Sequence, residues 1–185
     1  PSAANSAEAA FFKYLHREKL DVAVSVIGAT RKPHSRPEKD QNLGAILSVE
    51  ADYTTIVGKA WRLHVEKVLD TTLEENLRMI TESIEYLRSH GRKVIFDAEH
   101  FFDGFKEDPE YAMRTVEAAV SSGASVIVLC DTRGGSIPNE TYLITRHVTK
   151  SISKPVGIHA HNDRGLATAN SLSAVMAGAR HFQGT

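Results

Sequence analysis

Strand-like and helix-like segments alternate along the whole chain at a spacing of roughly thirty residues, and this alternation constrains the fold more than any other feature of the sequence. Phe11, Phe12 and Leu15 share a face of a helix predicted over 6–19, and a β-branched strand is predicted over 22–27. The beat repeats as a helix over 38–50 carrying Leu43, Ile46 and Leu47, then a strand over 52–57. Next comes the strongest helical signal, 73–90, where Leu73, Leu77, Ile80, Ile84 and Leu87 follow four-three-four-three spacing. Thr72 and Glu75 form a capping box before it, and Gly91 suits the position after its end.

A strand at 93–98 is followed by a helix that starts at Asp108-Pro109, carries Ala112, Val116, Ala119 and Val120, and stops at Gly123. The near-continuous apolar run at 125–131 is what a strand covered on both sheet faces requires. A helix over 138–150 with Ile144 and Val148 inward, a strand over 156–161, a helix over 166–177 and a last strand over 180–183 complete six strands. Strict alternation demands parallel strands joined by right-handed crossovers, so the fold class is α/β.

Two architectures satisfy that class. A doubly wound sheet needs a glycine-rich phosphate turn after its first strand, and Val26-Ile27-Gly28-Ala29-Thr30 contains no G-x-G-x-x-G. Polar residues instead gather at the C-terminal ends of several strands, as in a (β/α)8 TIM barrel. A complete barrel takes eight strands and about 250 residues. The sequence therefore reads as an incomplete barrel, residues 1–185 forming part of one catalytic domain.

Charge and composition exclude several partner classes. The 22 basic and 23 acidic residues are interspersed and sum to −1, so no basic stripe exists to neutralise a nucleic-acid backbone. No apolar run has the length of a membrane span, and the first residues lack a signal-peptide pattern. The single cysteine, Cys130, cannot form an internal disulfide and reads as a buried, inert thiol, which fits a cytoplasmic protein.

The chemistry concentrates in two strand ends. Alternation sends His159 and His161 to the same side, close together, where two imidazoles can share one metal ion; ordinary polar packing at a strand end is the competing reading. Asp97 and Glu99 share a face in the same way, and a carboxylate in a partly dry pocket can act as a base.

The stretch GIHAHNDRGLATANSLSAVMAGARHFQGT resembles the seventh strand through the eighth strand of the citramalate, 2-isopropylmalate and homocitrate synthase family. VIFDAEHFFDGFKEDPEYA, VLCDTRGGSIP and GKAWRLHVEKVL are similar to the same family, with wording nearest to its longer citramalate synthases. The resemblance implies that His159 and His161 bind a divalent cation (magnesium, manganese or zinc), that Glu99 handles a proton at the reacting centre, and that Thr132 hydrogen-bonds an oxoacid carboxylate. It implies acetyl-CoA and a small 2-oxoacid as partners, no nucleic acid and no membrane, and a homodimer. The reaction implied is a condensation in which the ion polarises the oxoacid carbonyl, a base deprotonates the acetyl methyl, and water releases CoA.

The family's R-D-G motif, with its metal-binding Asp and substrate-steadying Arg, does not occur in these residues, and the family's Asn ligand and regulatory domain belong to other segments. Arg133 and Arg164 stand where relatives carry small or neutral residues, and would either bind an extra carboxylate or narrow the pocket. The basic loop residues Arg31, Lys32 and Arg36 read as a phosphate-attracting rim or as solvated surface. Rival readings are cleavage of the hydroxymethylglutaryl-CoA lyase kind and, outside enzymes, an assembly module whose open sheet edges pair with another copy.

Overall fold

The computed structural model describes residues 6–18 and 21–184, so the expected helix end at Lys19 and the terminal Thr185 lie outside the described residues. Six strands, β1 (Ser25–Ala29), β2 (Tyr53–Lys59), β3 (Val94–Glu99), β4 (Val126–Asp131), β5 (Val156–Ala160) and β6 (His181–Gln183), form one sheet in the order β1-β2-β3-β4-β5-β6. All five pairings are parallel. Strand order that follows chain order has no switch point, which separates a singly wound barrel segment from a doubly wound sheet. The sheet curls, bringing β4 close to β6 across β5.

Helices α1 (Ser6–Glu18), α2 (Gln41–Leu47), α3 (Arg62–Lys67), α4 (Leu73–Ser89), α5 (Phe101–Glu107), α6 (Pro109–Ser121), α7 (Pro138–Ser151) and α8 (Ala167–Met176) accompany the strands. No described helix is long and apolar enough to cross a membrane. The main core lies between strands and helices, where Phe96, Ile127, Leu129 and Ile158 pack with Ile80, Ile84, Val116 and Val148. A smaller cluster of Ile95, Val128 and Cys130 occupies the opposite face, the inside of the curl. Strands β3 and β4 thus carry apolar residues on both faces, which explains their near-continuous apolar runs.

The structure moves several expected boundaries. The helix expected over 38–50 is split, because Asp40 is extended (φ −77, ψ 119) and turns its carboxylate onto the backbone N–H groups of Asn42 and Leu43, capping α2 after a 3-10 turn at Pro37–Lys39. The first strand begins at Ser25 rather than 22, since pairing with Tyr53 sets its start and Val22 stays exposed. The second runs on through Gly58 to Lys59, paired against Ala98 and Glu99. Helices α3 and α5 are absent from the sequence reading; both are short, and neither has a side-chain cap to announce it.

Helix α4 shows how polar residues position the strand ends. Ile80, Ile84 and Leu87 are buried as expected, but Leu73 and Leu77 are only half-buried, and Asn76 and Ser83 take seats in the core. Asn76 donates to the Lys59 carbonyl (2.8 Å) and to the Tyr111 hydroxyl (2.8 Å), tying α4 and α6 to the end of β2. The Ser83 hydroxyl accepts from the Arg31 backbone N–H (2.9 Å). Thr72 caps Glu75 N–H (3.1 Å), yet the Glu75 carboxylate goes elsewhere, to Arg31 (2.8 Å), to the His34 N–H (2.9 Å) and to Arg78 (2.6 Å). Arg31 also reaches Glu82 (2.7 Å) and is 3% exposed, so it anchors the loop after β1 and is not a free cation for phosphates.

Burial pushes the Glu75 carboxyl up, but the donors from Arg31, His34 and Arg78 outweigh it and hold the group at about 2. A depressed folded-state value stabilises the fold above the ordinary 4.5 and loses that contribution as pH falls toward 2; the shift corresponds to about 3 kcal/mol. Glu75→Gln is therefore expected to lower unfolding free energy in urea by about 3 kcal/mol at pH 7. The gap between variant and parent should shrink steadily below pH 4.5, and an equal gap at pH 3 would show that charge is not the source. Gly104→Ala should cost about 1–3 kcal/mol in the same assay. An added Cβ would lie 2.2 Å from the Ala60 carbonyl oxygen, where α5 rests on the end of β2.

Candidate active site

The C-terminal ends of β2 to β6 place their inward side chains level with one another. Lys59 pairs in register with Glu99, and Cys130 and Gln183 both pair with His159. Alternation then puts Asp97, Glu99, Cys130, His159 and Gln183 on the inside of the curl.

His159 and His161 leave the same side, as expected, with ring centroids 5.0 Å apart and planes inclined by 27°. The strand ends at Ala160, but the His161 N–H still donates to the Asp131 carbonyl (3.3 Å), which keeps His161 in strand geometry. His159 is half-buried and His161 exposed. His159 Nδ1 and Gln183 Oε1 share a hydrogen bond (2.7 Å), and Gln183 Nε2 donates to Asp97 Oδ1 (3.0 Å).

Asp97 is buried at 3% exposure. Burial pushes its carboxyl up to about 6, with the Gln183 amide and His159 restraining the rise. Ligand atoms of Asp97, Cys130 and His159 lie within 4.8 Å of one another. The Cys130 thiol is pushed up by burial and by Asp97 and Glu99 nearby, so it stays protonated, in keeping with the inert thiol expected from sequence.

Glu99 makes an ion pair with Lys59, a residue that the sequence reading left out because it ended β2 at 57. A cavity of about 270 Å³ opens beside this pair, with Ala29, Val57, Leu69 and Met79 on its apolar walls. The Thr132 hydroxyl accepts from the His100 backbone N–H (2.8 Å). That bond holds His100 in its left-handed conformation (φ 58) at the start of α5 and leaves the hydroxyl hydrogen available to donate. Asp131 fixes the turn after β4 by accepting from the N–H groups of Gly135 and Ser136 (both 3.1 Å).

At the rim, Trp61 stacks on His64 (4.9 Å) and His64 packs against His100 (4.1 Å), with burial and His100 pushing the His64 imidazolium down. Arg133 lies over Trp61 (5.9 Å) and beside Asp103 (3.6 Å), so it is held at the rim. Arg164 is exposed and reaches the Gly135 carbonyl at 3.5 Å. Of the rim residues the sequence reading singled out Arg133 and Arg164, but not Trp61, His64 or His100, and it did not single out Gln183. The signal for Gln183 was its place on an inward strand position, where an amide has no apolar reason to be.

The donor set suits a divalent cation. His159 bonds Gln183 through Nδ1, which leaves Nε2 for an ion, and the stacked His161 ring offers a second imidazole nitrogen.

Comparison with known proteins agrees with the architecture. The chain is 47% identical over 182 residues to an (R)-citramalate synthase of Sulfolobus acidocaldarius, covering 98% of this chain and 35% of that protein. It is 48% identical over 182 residues to the (R)-citramalate synthase of Geobacter sulfurreducens, covering 98% of this chain and 34% of that protein. The chain thus spans about a third of the length of these relatives. Among solved structures, the hydroxymethylglutaryl-CoA lyase of Pseudomonas aeruginosa shares the fold with a TM-score of 0.75 at 16% identity, over 96% of this chain and 57% of that one. The HMG-CoA lyase of Brucella melitensis gives a TM-score of 0.73 at 17% identity, over 94% and 60% of the respective chains. Residues 16–185 match the family described as HMGL-like, and the chain belongs to that family.

Proposed function

We propose that this chain is the metal- and base-bearing part of a catalytic barrel that condenses acetyl-CoA with a 2-oxoacid, pyruvate giving citramalate. The observation that carries the proposal is the pair of stacked imidazoles of His159 and His161 at the inner end of β5, in the same layer as Glu99. Identity to (R)-citramalate synthases over 98% of the chain favours pyruvate over the oxoacids of 2-isopropylmalate or homocitrate synthesis.

His159 and His161 would hold a divalent ion, which would supply Lewis-acid polarisation of the oxoacid carbonyl. Glu99 accepts a proton from the acetyl methyl group. The electron pair of that C–H bond forms the new C–C bond to the ketone carbon as the C=O π pair moves onto oxygen; that oxygen takes up a proton from water, and Glu99 returns its own to solvent. Lys59 orients the Glu99 carboxylate through their ion pair. Thr132 donates its free hydroxyl hydrogen to the oxoacid carboxylate. Water then cleaves the thioester, leaving a carboxylate and the CoA thiol. Interspersed charge and a protonated lone thiol suit a cytoplasmic enzyme, and exposed Leu172, Met176 and Phe182 on the β6 side offer surface for the rest of the barrel or a second copy in a homodimer.

The full-length protein should release free CoA from acetyl-CoA only when an oxoacid is supplied, fastest with pyruvate, in a thiol-detection assay run oxoacid by oxoacid. Release with no oxoacid tested would end this reading, and cleavage of a 3-hydroxyacyl-CoA without condensation would move the protein to the lyase side. Glu99→Gln should reduce kcat by about 10²–10⁴-fold while leaving cation affinity unchanged. His161→Ala should weaken cation binding in calorimetry by at least about tenfold and lower activity with it; unaltered binding would remove His161 from the metal site.

A further inference from the structure

Asp97 and Gln183 have no part in the condensation just described, yet both are turned inward and bonded in series to His159. An ionised carboxylate can only accept hydrogen bonds, whereas a primary amide both donates and accepts. Asp97 therefore dictates which end of the Gln183 amide faces it: Nε2 donates to Asp97 Oδ1 at 3.0 Å. The opposite end, Oε1, is left facing His159, and an oxygen acceptor at 2.7 Å from Nδ1 requires the proton to be on Nδ1. One fixed acceptor thus sets the orientation of an amide, and the amide sets the tautomer of an imidazole.

We infer that Asp97 and Gln183 are positioning residues that lock His159 as its Nδ1–H tautomer, keeping the Nε2 lone pair aimed at a divalent cation. The inference rests on the metal reading above for its purpose, but its chemistry can be read without the metal. The proximity of Asp97, Cys130 and His159 is accounted for in the same way: Asp97 is committed to Gln183, and the thiol is a protonated neighbour. Register supports the arrangement, since Gln183 and Cys130 flank His159 from the two adjacent strands, one polar and bonding, the other apolar in behaviour. The chain of bonds spans β3, β5 and β6, so it also fixes the ring plane against rotation.

Asp97→Asn is the discriminating change, because it keeps shape and removes only the acceptor-only character. An amide at 97 can donate to Gln183 Oε1, which frees Gln183 to turn its Nε2 toward His159. The proton on His159 then moves to Nε2 and blocks the ligand position. Gln183→Met removes the acceptor altogether and serves as the second variant where the first does not fold.

The experiment uses full-length protein with ¹⁵N-labelled histidine, stripped of metal by chelation, with long-range proton–nitrogen correlation at pH 8 and calorimetric titration with Zn²⁺ and Mn²⁺. Expected are an Nδ1–H signature for His159 in the parent, its loss in either variant, and a 10- to 100-fold weaker cation affinity in both. A parent His159 protonated on Nε2 would overturn the inference. So would weakened cation binding in Asp97→Asn with an unchanged tautomer, which would make Asp97 a direct ligand. A parent with the expected tautomer that binds neither ion would leave the relay standing and sink the metal reading instead.

Discussion

The register of the parallel strands is the constraint on which everything else at this site depends. Side chains alternate with period two, so sliding β5 by one residue against β4 would turn His159 and His161 toward the helices and bring Ile158 and Ala160 inward. The same slip would put a hydrogen-bonding imidazole in the place of Ile158 in the helix-facing core. Register is held because Ile158, Leu129, Phe96 and Ile127 have nowhere else to be buried. The apolar outer layer thus aligns the polar inner one from the opposite face of the sheet.

Strand alignment is reinforced at the ends by buried polar contacts that hydrophobic packing alone could not specify. Asn76 reads a single carbonyl, that of Lys59, and is itself held by Tyr111, whose phenol burial pushes up to about 12 and keeps neutral. Arg31 binds the loop after β1 to α4 through two carboxylates, one of them buried. Such contacts are directional, and a hydrogen bond to a named backbone atom sets position within a few tenths of an ångström where apolar contact allows sliding. They explain why the core face of α4 contains Asn76 and Ser83 and why the leucines at its start are only half-buried.

These same contacts mark the limit of what the sequence discloses. Strand number, parallel class and the inward direction of His159, His161, Asp97 and Glu99 follow from period-two alternation and apolar runs, which are local properties. The pairing of Lys59 with Glu99 and of Gln183 with His159 depends on which strands become neighbours and on where each strand stops, which a linear pattern does not encode. Arg31 misled for a related reason: a basic loop looks solvated until a helix 44 residues later supplies Glu75. The short helices α3 and α5 are held by tertiary packing, Val65 of α3 being buried and Phe101 and Phe102 of α5 lying in the main core, with no cap or long periodicity to signal them.

The rim shows how the mouth of the site is closed without using the inner layer. Thr132 holds the His100 backbone, His100 packs on His64, His64 stacks on Trp61, and Arg133 lies over Trp61, so the loops after β2, β3 and β4 are linked in one run of contacts. A guanidinium over an indole face and beside Asp103 has its charge answered at the surface. Arg133 thereby supports one wall of the mouth and leaves the interior polar groups to Lys59, Glu99 and the imidazoles. An arginine that looks obstructive in sequence is therefore held at the rim, because its neighbours, rather than the inner layer, satisfy it.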